Sequence, residues 1–120
     1  MKVVVTSQGP GLDSPVDPRF GRAKNFILVD LETGEFSVHD NTQNLNAAQG
    51  AGIQAGRTVV DLGVAAVITG NVGPKAFTTL QAGNVEVYPG ASGTVREAVE
   101  KFKAGQLKGA EKANVEGHWG

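Results

Sequence analysis

One short apolar run limits the possible folds of this chain more than any other feature. Residues 64–68 read VAAVI, without a polar side chain, and such a run is typical of a β-strand covered on both faces. A GNVGP sequence follows at 70–74. It predicts a turn into a helix over 74–81, because proline fits the first helical position, where its missing N–H costs nothing. A buried strand that leads into a helix indicates an α/β fold.

The rest of the chain supplies further strands and helices around this unit. Apolar or alternating stretches predict strands at 2–7, 26–29, 36–39 and 85–88, and a turn at 32–35 makes the middle two a hairpin. Three- and four-residue spacings predict a helix over 47–62 with Asn46 as N-cap. A capping box of Thr94 and Glu97 opens a last helix that stops at Gly105.

This order of elements predicts one domain over residues 1–105. It is a three-layer α/β/α domain with a mixed five-stranded sheet, in which the hairpin makes one strand antiparallel. Residues 106–120 show no sustained periodicity. We expect a mobile C-terminal tail there.

Composition excludes several classes of protein. Eleven basic and twelve acidic side chains give a net charge of −1, which is not the basic footprint of a nucleic-acid binder. The chain has no cysteine, so thiolate-bound zinc and iron-sulfur sites are excluded. No stretch approaches the roughly 20 apolar residues of a membrane span or resembles a signal peptide. We therefore expect a cytoplasmic protein that binds neither nucleic acid nor membrane.

Two glycine-rich loops follow strands of the predicted sheet, at 7–23 and 69–75. Ligands of open α/β sheets bind beyond the carboxyl ends of the parallel strands, so these two loops should be neighbours. The first loop is also longer than about 12 residues, a length at which structureless loops are usually functional or disordered.

The first loop carries three cations in the sequence RFGRAK: Arg19, Arg22 and Lys24. Gly21 between the arginines permits a close backbone approach to a ligand. Such a segment suits an anion. The alternative interpretation is that the arginines pair with Asp13 and Asp17 and are otherwise solvated.

The second loop, GNVGPK, leads into a helix whose free N–H groups and dipole favour negative charge. Lys75 lies in the first turn of this helix, where a cation is locally unfavourable. Its position therefore suggests a bound anion. The alternative is a surface lysine whose stem covers apolar surface.

A third glycine-rich sequence, GAGIQAG, matches a dinucleotide-binding pattern at Gly50, Gly52 and Ala55. Its context is wrong for that function, because it does not follow the first strand and no suitable acidic residue follows the next strand. We interpret it as a helix start at which Gly52 and Gly56 permit close approach of a strand, another helix or a bulky ligand.

The sequence contains no catalytic constellation. Its serines lie in no Gly-x-Ser-x-Gly elbow, and the first strand carries no acid for metal-ion catalysis. The two histidines, His39 and His118, belong to no metal-binding motif and are weak candidates for metal ligands. Trp119 beside His118 could cover a ligand.

Four segments together resemble the dinitrogenase iron-molybdenum cofactor biosynthesis family: DPRFGRAKNFILVD, GAGIQAG, GVAAVITGNVGPKAF and TVREAVEKFKAG. The resemblance spans the chain from Met1 to about Lys108. It implies a ribonuclease-H-like fold without nuclease activity. It also implies binding of a molybdenum- or iron-containing sulfide cluster by a carrier or assembly factor with a metalloprotein partner.

Such a cluster is a bulky anion, and several positions could contact its sulfides without a thiolate. The candidate cofactor-binding residues are Arg19, Phe20, Gly21, Arg22, Lys24, Gly50, Gly52, Gly70, Asn71, Val72, Gly73 and Lys75. Two other functions use the same features. One is an enzyme or sensor with a phosphate or nucleotide ligand, and the other is an apo protein-interaction module.

Overall fold

The computed structural model describes residues 1–42 and 50–113. Three strands are followed by helices and strands in alternation, the order β-β-β-α-β-α-β-α that the sequence predicted. The strands are β1 (Lys2–Ser7), β2 (Asn25–Asp30), β3 (Phe36–Asp40), β4 (Ala66–Ile68) and β5 (Glu86–Tyr88). The helices are α1 (Ala51–Asp61), α2 (Pro74–Ala82) and α3 (Val95–Lys103).

The strands form one open mixed sheet in the order β3-β2-β1-β4-β5. β1 pairs in parallel with β4, and β4 pairs in parallel with β5. β2 pairs antiparallel with both β1 and β3. The prediction that the hairpin makes one strand antiparallel is therefore confirmed, and that strand is β2.

The buried side chains form two clusters that divide along the central strand β1. Val4 belongs to a cluster with residues of α1 and α2, which we call the α1/α2 cluster. Val3 and Val5 belong to a second cluster with residues of α3, which we call the α3 cluster. Successive side chains of a strand point to opposite faces, so the two clusters lie on opposite faces of the sheet.

Helix α1 begins later than the sequence predicted. It starts at Ala51 rather than at residue 47, because Gly50 adopts the left-handed conformation, with φ of 80°. A residue in that conformation cannot lie inside a right-handed helix. The predicted N-cap, Asn46, lies outside the described residues.

Helix α3 confirms the predicted capping box. The Thr94 hydroxyl accepts a hydrogen bond from the Glu97 N–H at 3.1 Å, and the Thr94 N–H donates to the Glu97 carboxylate at 3.0 Å. The second bond is the main cause that lowers the pKa of Glu97. Gly105 ends the helix with φ of 72°, as expected for a glycine stop.

The segment at 106–113 passes over the outer edge of β5. Leu107 packs against the α3 cluster, whereas Ala110 and Ala113 pack against the α1/α2 cluster on the other face. The Ala110 N–H donates to the Val87 carbonyl at 2.8 Å. The mobility predicted for residues 106–120 stays a prediction, and His118 and Trp119 lie outside the described residues.

Across the described ranges, no helix combines the length and the apolar character that crossing a membrane requires.

Thr94→Ala should lower the free energy of unfolding by about 1 kcal/mol, because the first turn of α3 loses its side-chain acceptor. Urea denaturation at neutral pH measures this change. Ser92→Ala, at an exposed position two residues earlier, serves as the control and should behave like the unmodified protein. Equal stability of the two variants would contradict a stabilising role for the capping box.

Candidate anion-binding site

The sheet topology brings several connections to the edge formed by the carboxyl ends of the parallel strands, which is distinct from the lateral edges formed by β3 and β5. β1, β3 and β4 all end there, and β2 begins there, because β2 alone among the five strands runs in the opposite direction. The loops at 8–24 and 69–73 therefore share this edge with the N-terminus of α2. Helix α1 runs parallel to α2, because Gly56 lies against Thr79 and Val60 lies against Gly83. The N-terminus of α1 is therefore beside that of α2.

Two backbone hydrogen bonds join the predicted loops directly. The Asn71 N–H donates to the Pro18 carbonyl at 2.7 Å, and the Phe20 N–H donates to the Asn71 carbonyl at 3.1 Å. The expectation that the loops are neighbours is confirmed.

Gly70 makes this close contact possible. A Cβ atom added there would lie 2.7 Å from the Pro18 Cα and 2.8 Å from the Pro18 carbonyl oxygen. These are backbone atoms that cannot move aside as a flexible side chain would. Any larger residue at position 70 would therefore push the two loops apart.

Buried polar groups add a second connection beneath the loops. The Thr6 hydroxyl donates to the Asp17 carbonyl at 2.8 Å and lies 2.8 Å from the Thr69 hydroxyl. The Asp17 N–H in turn donates to the Thr6 carbonyl at 2.9 Å. These contacts fix the first loop to the ends of both β1 and β4.

The earlier half of the first loop is held by the start of α3. The Val16 N–H donates to the Gly93 carbonyl, and the Val95 N–H donates to the Ser14 carbonyl, each at 2.9 Å. The Arg96 N–H donates to the Leu12 carbonyl at 2.8 Å. The long loop thus has defined hydrogen-bond partners along most of its length.

Asn41 holds the segment that carries Arg22, and the sequence interpretation missed this role. Its buried side-chain amide donates to the Ala23 carbonyl at 2.8 Å and to the Gly21 carbonyl at 3.3 Å. Its backbone N–H donates to the Lys24 carbonyl at 2.9 Å. No local sequence signal distinguishes Asn41 from the other polar residues after β3, because its acceptors lie about 20 positions earlier.

The cations remain at the surface of this edge. Arg19, Lys24 and Lys75 are exposed, and Arg22 is half-buried. Among the described residues, Arg19 forms no ion pair with Asp13 or Asp17. For Arg22, pairing with these acids stays a prediction.

The two carboxylates have defined partners in the described structure. Asp13 pairs with Arg96 at 3.1 Å, and the Asp17 carboxylate accepts a hydrogen bond from the Arg19 backbone N–H at 3.0 Å. Within residues 1–42 and 50–113, Arg19, Lys24 and Lys75 form no ion pair. Their charge is therefore not neutralised by the acids described here.

Two of the candidate binding residues point their side chains into the core. Phe20 and Val72 are fully buried members of the α1/α2 cluster. They fix the positions of their loops, and any contact they make with a ligand must come from the backbone. Gly21 and Gly73 are also buried, and Asn71 is half-buried.

The N-termini of α1 and α2 have glycine as the N-cap residue, Gly50 and Gly73. Glycine has no side chain that could accept a hydrogen bond from the first-turn N–H groups. Helix α3 differs, because Thr94 supplies that acceptor. The first turns of α1 and α2 thus leave backbone donors for an anion at the same edge as the cations.

Gly56 of α1 serves helix packing. A Cβ atom at Gly56 would lie 2.9 Å from the Thr79 Cγ2 atom, so this position lets α1 approach α2 closely. Helix α1 follows β3 instead of β1, which agrees with the rejection of a dinucleotide site. Gly52 is buried in the first turn, and Gly50 is exposed.

His39 is half-buried, and its Nε2 atom lies 3.0 Å from the Ser37 hydroxyl. The described part of the chain contains no group of three or more His, Asp or Glu residues able to hold a metal ion. A ligand role for His39 stays a prediction, and His118 lies outside the described residues. The chemistry of the site is therefore that of cations and backbone donors.

The cations of the candidate site are exposed or half-buried. A groove of about 570 Å³ exists elsewhere, between α2, β5 and the segment at 106–113. Its walls include Phe77, Gln81 and Val87 and none of the loop cations. We place the site at the loops because charge and backbone donors converge there.

The fold and this surface define a small α/β protein with exposed cations beyond the carboxyl ends of its parallel strands, and comparison with known proteins identifies its family. The model of the family described as dinitrogenase iron-molybdenum cofactor matches residues 1–105. The chain belongs to this family, and the resemblance read from the sequence is confirmed.

Two solved structures are closely similar to this chain. The orange protein of Desulfovibrio gigas in its apo form is 43% identical, with a TM-score of 0.93, over 95% of this chain and 96% of that one. A NifB-like protein from Thermotoga is 40% identical, with a TM-score of 0.83, over 97% and 98% of the two chains. An uncharacterised protein of Methanocaldococcus jannaschii is 30% identical over 95 residues, which cover 78% of this chain and 80% of the relative.

Gly70→Ala should destabilise the protein by about 1–3 kcal/mol, because the new methyl group overlaps backbone atoms of Pro18. Urea denaturation measures the loss. Gly11→Ala is a matched control in the first loop, since its Cβ would meet only the Ser14 hydroxyl oxygen, at 3.9 Å. If both variants lose the same stability, close packing of the two loops is not the reason for glycine at position 70.

Proposed function

We propose that this protein is a non-catalytic carrier of an anionic molybdenum- or iron-containing sulfide cluster, acting in metal-cofactor assembly or storage. The observation that carries the proposal is the pair of joined loops with exposed cations that the described acids do not neutralise. Family membership supports the proposal, because the family is described by the iron-molybdenum cofactor of dinitrogenase.

The chemistry of the edge suits a sulfide cluster held through its outer atoms. Sulfide and thiometallate groups carry negative charge and accept hydrogen bonds. Arg19, Lys24 and Lys75 offer charged donors at the surface, and charge-assisted hydrogen bonds are roughly twice as strong as neutral ones. Because the chain has no cysteine, a thiolate bond to the metal is excluded.

The backbone adds donors whose direction is fixed. The first turns of α1 and α2 present N–H groups at the edge where the cations lie. Their positive helix ends favour an anion there by about 0.3–1 kcal/mol each at an exposed site. A large cluster could contact both helix ends and the loops together, which a single small anion could not do.

Reversible binding fits the exposure of the site. Arg19, Lys24 and Lys75 are exposed, so solvent competes for each contact that they make with a cluster. Surface charge pairs also weaken as salt increases. A protein that delivers its cargo to another protein needs this accessibility.

The absence of a catalytic role is part of the proposal. Thr6 and Ser7 at the end of β1 use their hydroxyls for internal hydrogen bonds, Thr6 to the Asp17 carbonyl and Ser7 to the Gly9 carbonyl. Strand β1 carries no carboxylate, since it reads KVVVTS. The described residues thus offer a binding surface without an activated nucleophile.

We further propose the fold arrangement, the cellular location and the kind of partner that the family resemblance implies. The strand order and the two opposite clusters favour a three-layer α/β/α arrangement with a ribonuclease-H-like motif. A cytoplasmic carrier would pass its cluster to a metalloprotein or to another cofactor-assembly protein. The NifB-like relative from Thermotoga supports this setting.

Arg19→Ala and Lys75→Ala should each weaken binding of tetrathiomolybdate by about tenfold to a hundredfold, as expected for loss of one charged hydrogen-bond donor. Arg22→Ala should weaken binding as well. Anaerobic titration, followed by the absorption of the thiomolybdate, measures these affinities. Thermal unfolding of Arg19→Ala and Lys75→Ala should change little, because both side chains are exposed.

Lys101→Ala removes one exposed positive charge from α3, away from the loops, and is the matched control. Its affinity should equal that of the unmodified protein. Equal affinity of all four variants would contradict the proposed site. Binding of inorganic phosphate but not of tetrathiomolybdate would instead favour the enzyme or sensor with a phosphate ligand.

A further inference from the structure

Strand β3 leaves one edge of the sheet open. It is the last strand in the order β3-β2-β1-β4-β5 and has no fully buried residue. Phe36 is 45% exposed and Val38 is 40% exposed, and Met1 is the third large hydrophobic residue exposed among those described. An open edge with exposed apolar side chains is a template for strand pairing.

The hydrogen-bond pattern of the hairpin shows which backbone groups of β3 face outward. The Asp30 N–H donates to the Glu35 carbonyl, and the Asn41 N–H donates to the Lys24 carbonyl. In an antiparallel pair, hydrogen-bonded positions alternate with non-bonded ones.

Between these two bonds, Ser37 lies opposite Leu28 and His39 lies opposite Phe26. By the alternation, both are hydrogen-bonded pairs. The N–H and C=O groups of Phe36, Val38 and Asp40 must therefore point away from β2, toward the open edge.

The opposite edge of the sheet is already occupied. The Ala110 N–H donates to the Val87 carbonyl of β5 at 2.8 Å. Gly109 lies against the Tyr88 ring, since a Cβ atom added to it would be 3.5 Å from the Tyr88 Cε2 atom. The chain thus covers its β5 edge with its own segment and leaves β3 as the open edge of the described sheet.

We propose that β3 pairs antiparallel with β3 of a second copy of this chain, around a two-fold axis at Val38. In this register Val38 lies opposite Val38 of the second copy, and Phe36 lies opposite Asp40 of the second copy. All three outward-facing residues then find outward-facing partners. The pairing would form about six backbone hydrogen bonds, two for each bonded pair.

The side chains are compatible with this symmetric register. Asp40 opposes Phe36, and Ser37 opposes His39, so no two like charges face each other across the interface. A net charge of −1 per chain gives little overall repulsion between two copies. Phe36 and Val38 of both copies would lie on the same face and form one continuous apolar stripe.

Pairing at this edge produces a closed dimer rather than an open-ended polymer. The described sheet has one available edge, so pairing β3 with β3 uses that edge of each copy and closes the assembly as a dimer. One five-residue strand gives a small contact, below the standard interface size of about 1,200–2,000 Å². We therefore expect a weak dimer, with a dissociation constant of roughly micromolar to millimolar.

Sedimentation velocity over a wide concentration range tests the proposal on the full chain without added cluster. The unmodified protein should shift from monomer to dimer as concentration rises. Val38→Lys places two like charges at the two-fold axis and should weaken the dimer by at least tenfold. Ala82→Lys adds the same charge at the exposed end of α2 and should leave it unchanged.

Backbone amide signals from nuclear magnetic resonance identify the surface independently of any variant. The Phe36, Val38 and Asp40 amides should shift with concentration more than those of Ser37 and His39. A chain that stays monomeric at millimolar concentration overturns the proposal, as does a dimer that Val38→Lys leaves intact. Concentration-dependent shifts confined to another surface overturn it too. None of these results depends on cluster binding.

Discussion

The close approach of Gly70 to Pro18 is the constraint on which the functional edge depends. With no Cβ at position 70, the two loops come near enough for Asn71 to bond Pro18 on one side and Phe20 on the other. The side chains of Phe20 and Val72 then enter the α1/α2 cluster from both loops. Backbone contacts and core packing thus fix the same two loops in place. The cations extend from these loops.

This arrangement separates the residues that position the site from those that would bind. Thr6, Asp17 and Asn41 are buried, and their polar groups satisfy the backbone of the first loop. Arg19 and Lys24 carry charge at the surface and make no ion pair within the described ranges. A loop whose hydrogen bonds are already satisfied loses little conformational freedom when an anion binds, which favours affinity.

Much of the fold was predictable because its signals are local. The capping box of Thr94 and Glu97 and the hairpin turn are encoded within a few neighbouring residues, and both predictions are confirmed. The start of α1 was predicted wrongly. A glycine is compatible with a helix interior as well as with the left-handed conformation that Gly50 adopts, so the sequence does not distinguish them.

The details of the site were less predictable because they depend on distant partners. Asp13 is 83 positions from Arg96, its actual partner, and lies much closer in sequence to the arginines first considered. The role of Asn41 likewise depends on how the hairpin returns beside the first loop. The proximity of the two loops was predictable, since it follows from the rule that parallel strands end at one edge.

Elemental analysis of the protein purified without oxygen from its native host tests the central claim most directly. Metal and sulfide would be quantified alongside an ultraviolet-visible spectrum, before and after addition of tetrathiomolybdate with iron or copper. A cluster carrier predicts molybdenum or iron together with sulfide in near-stoichiometric amounts and sulfide-to-metal charge-transfer bands. A colourless, metal-free protein that also takes up no cluster would contradict the account.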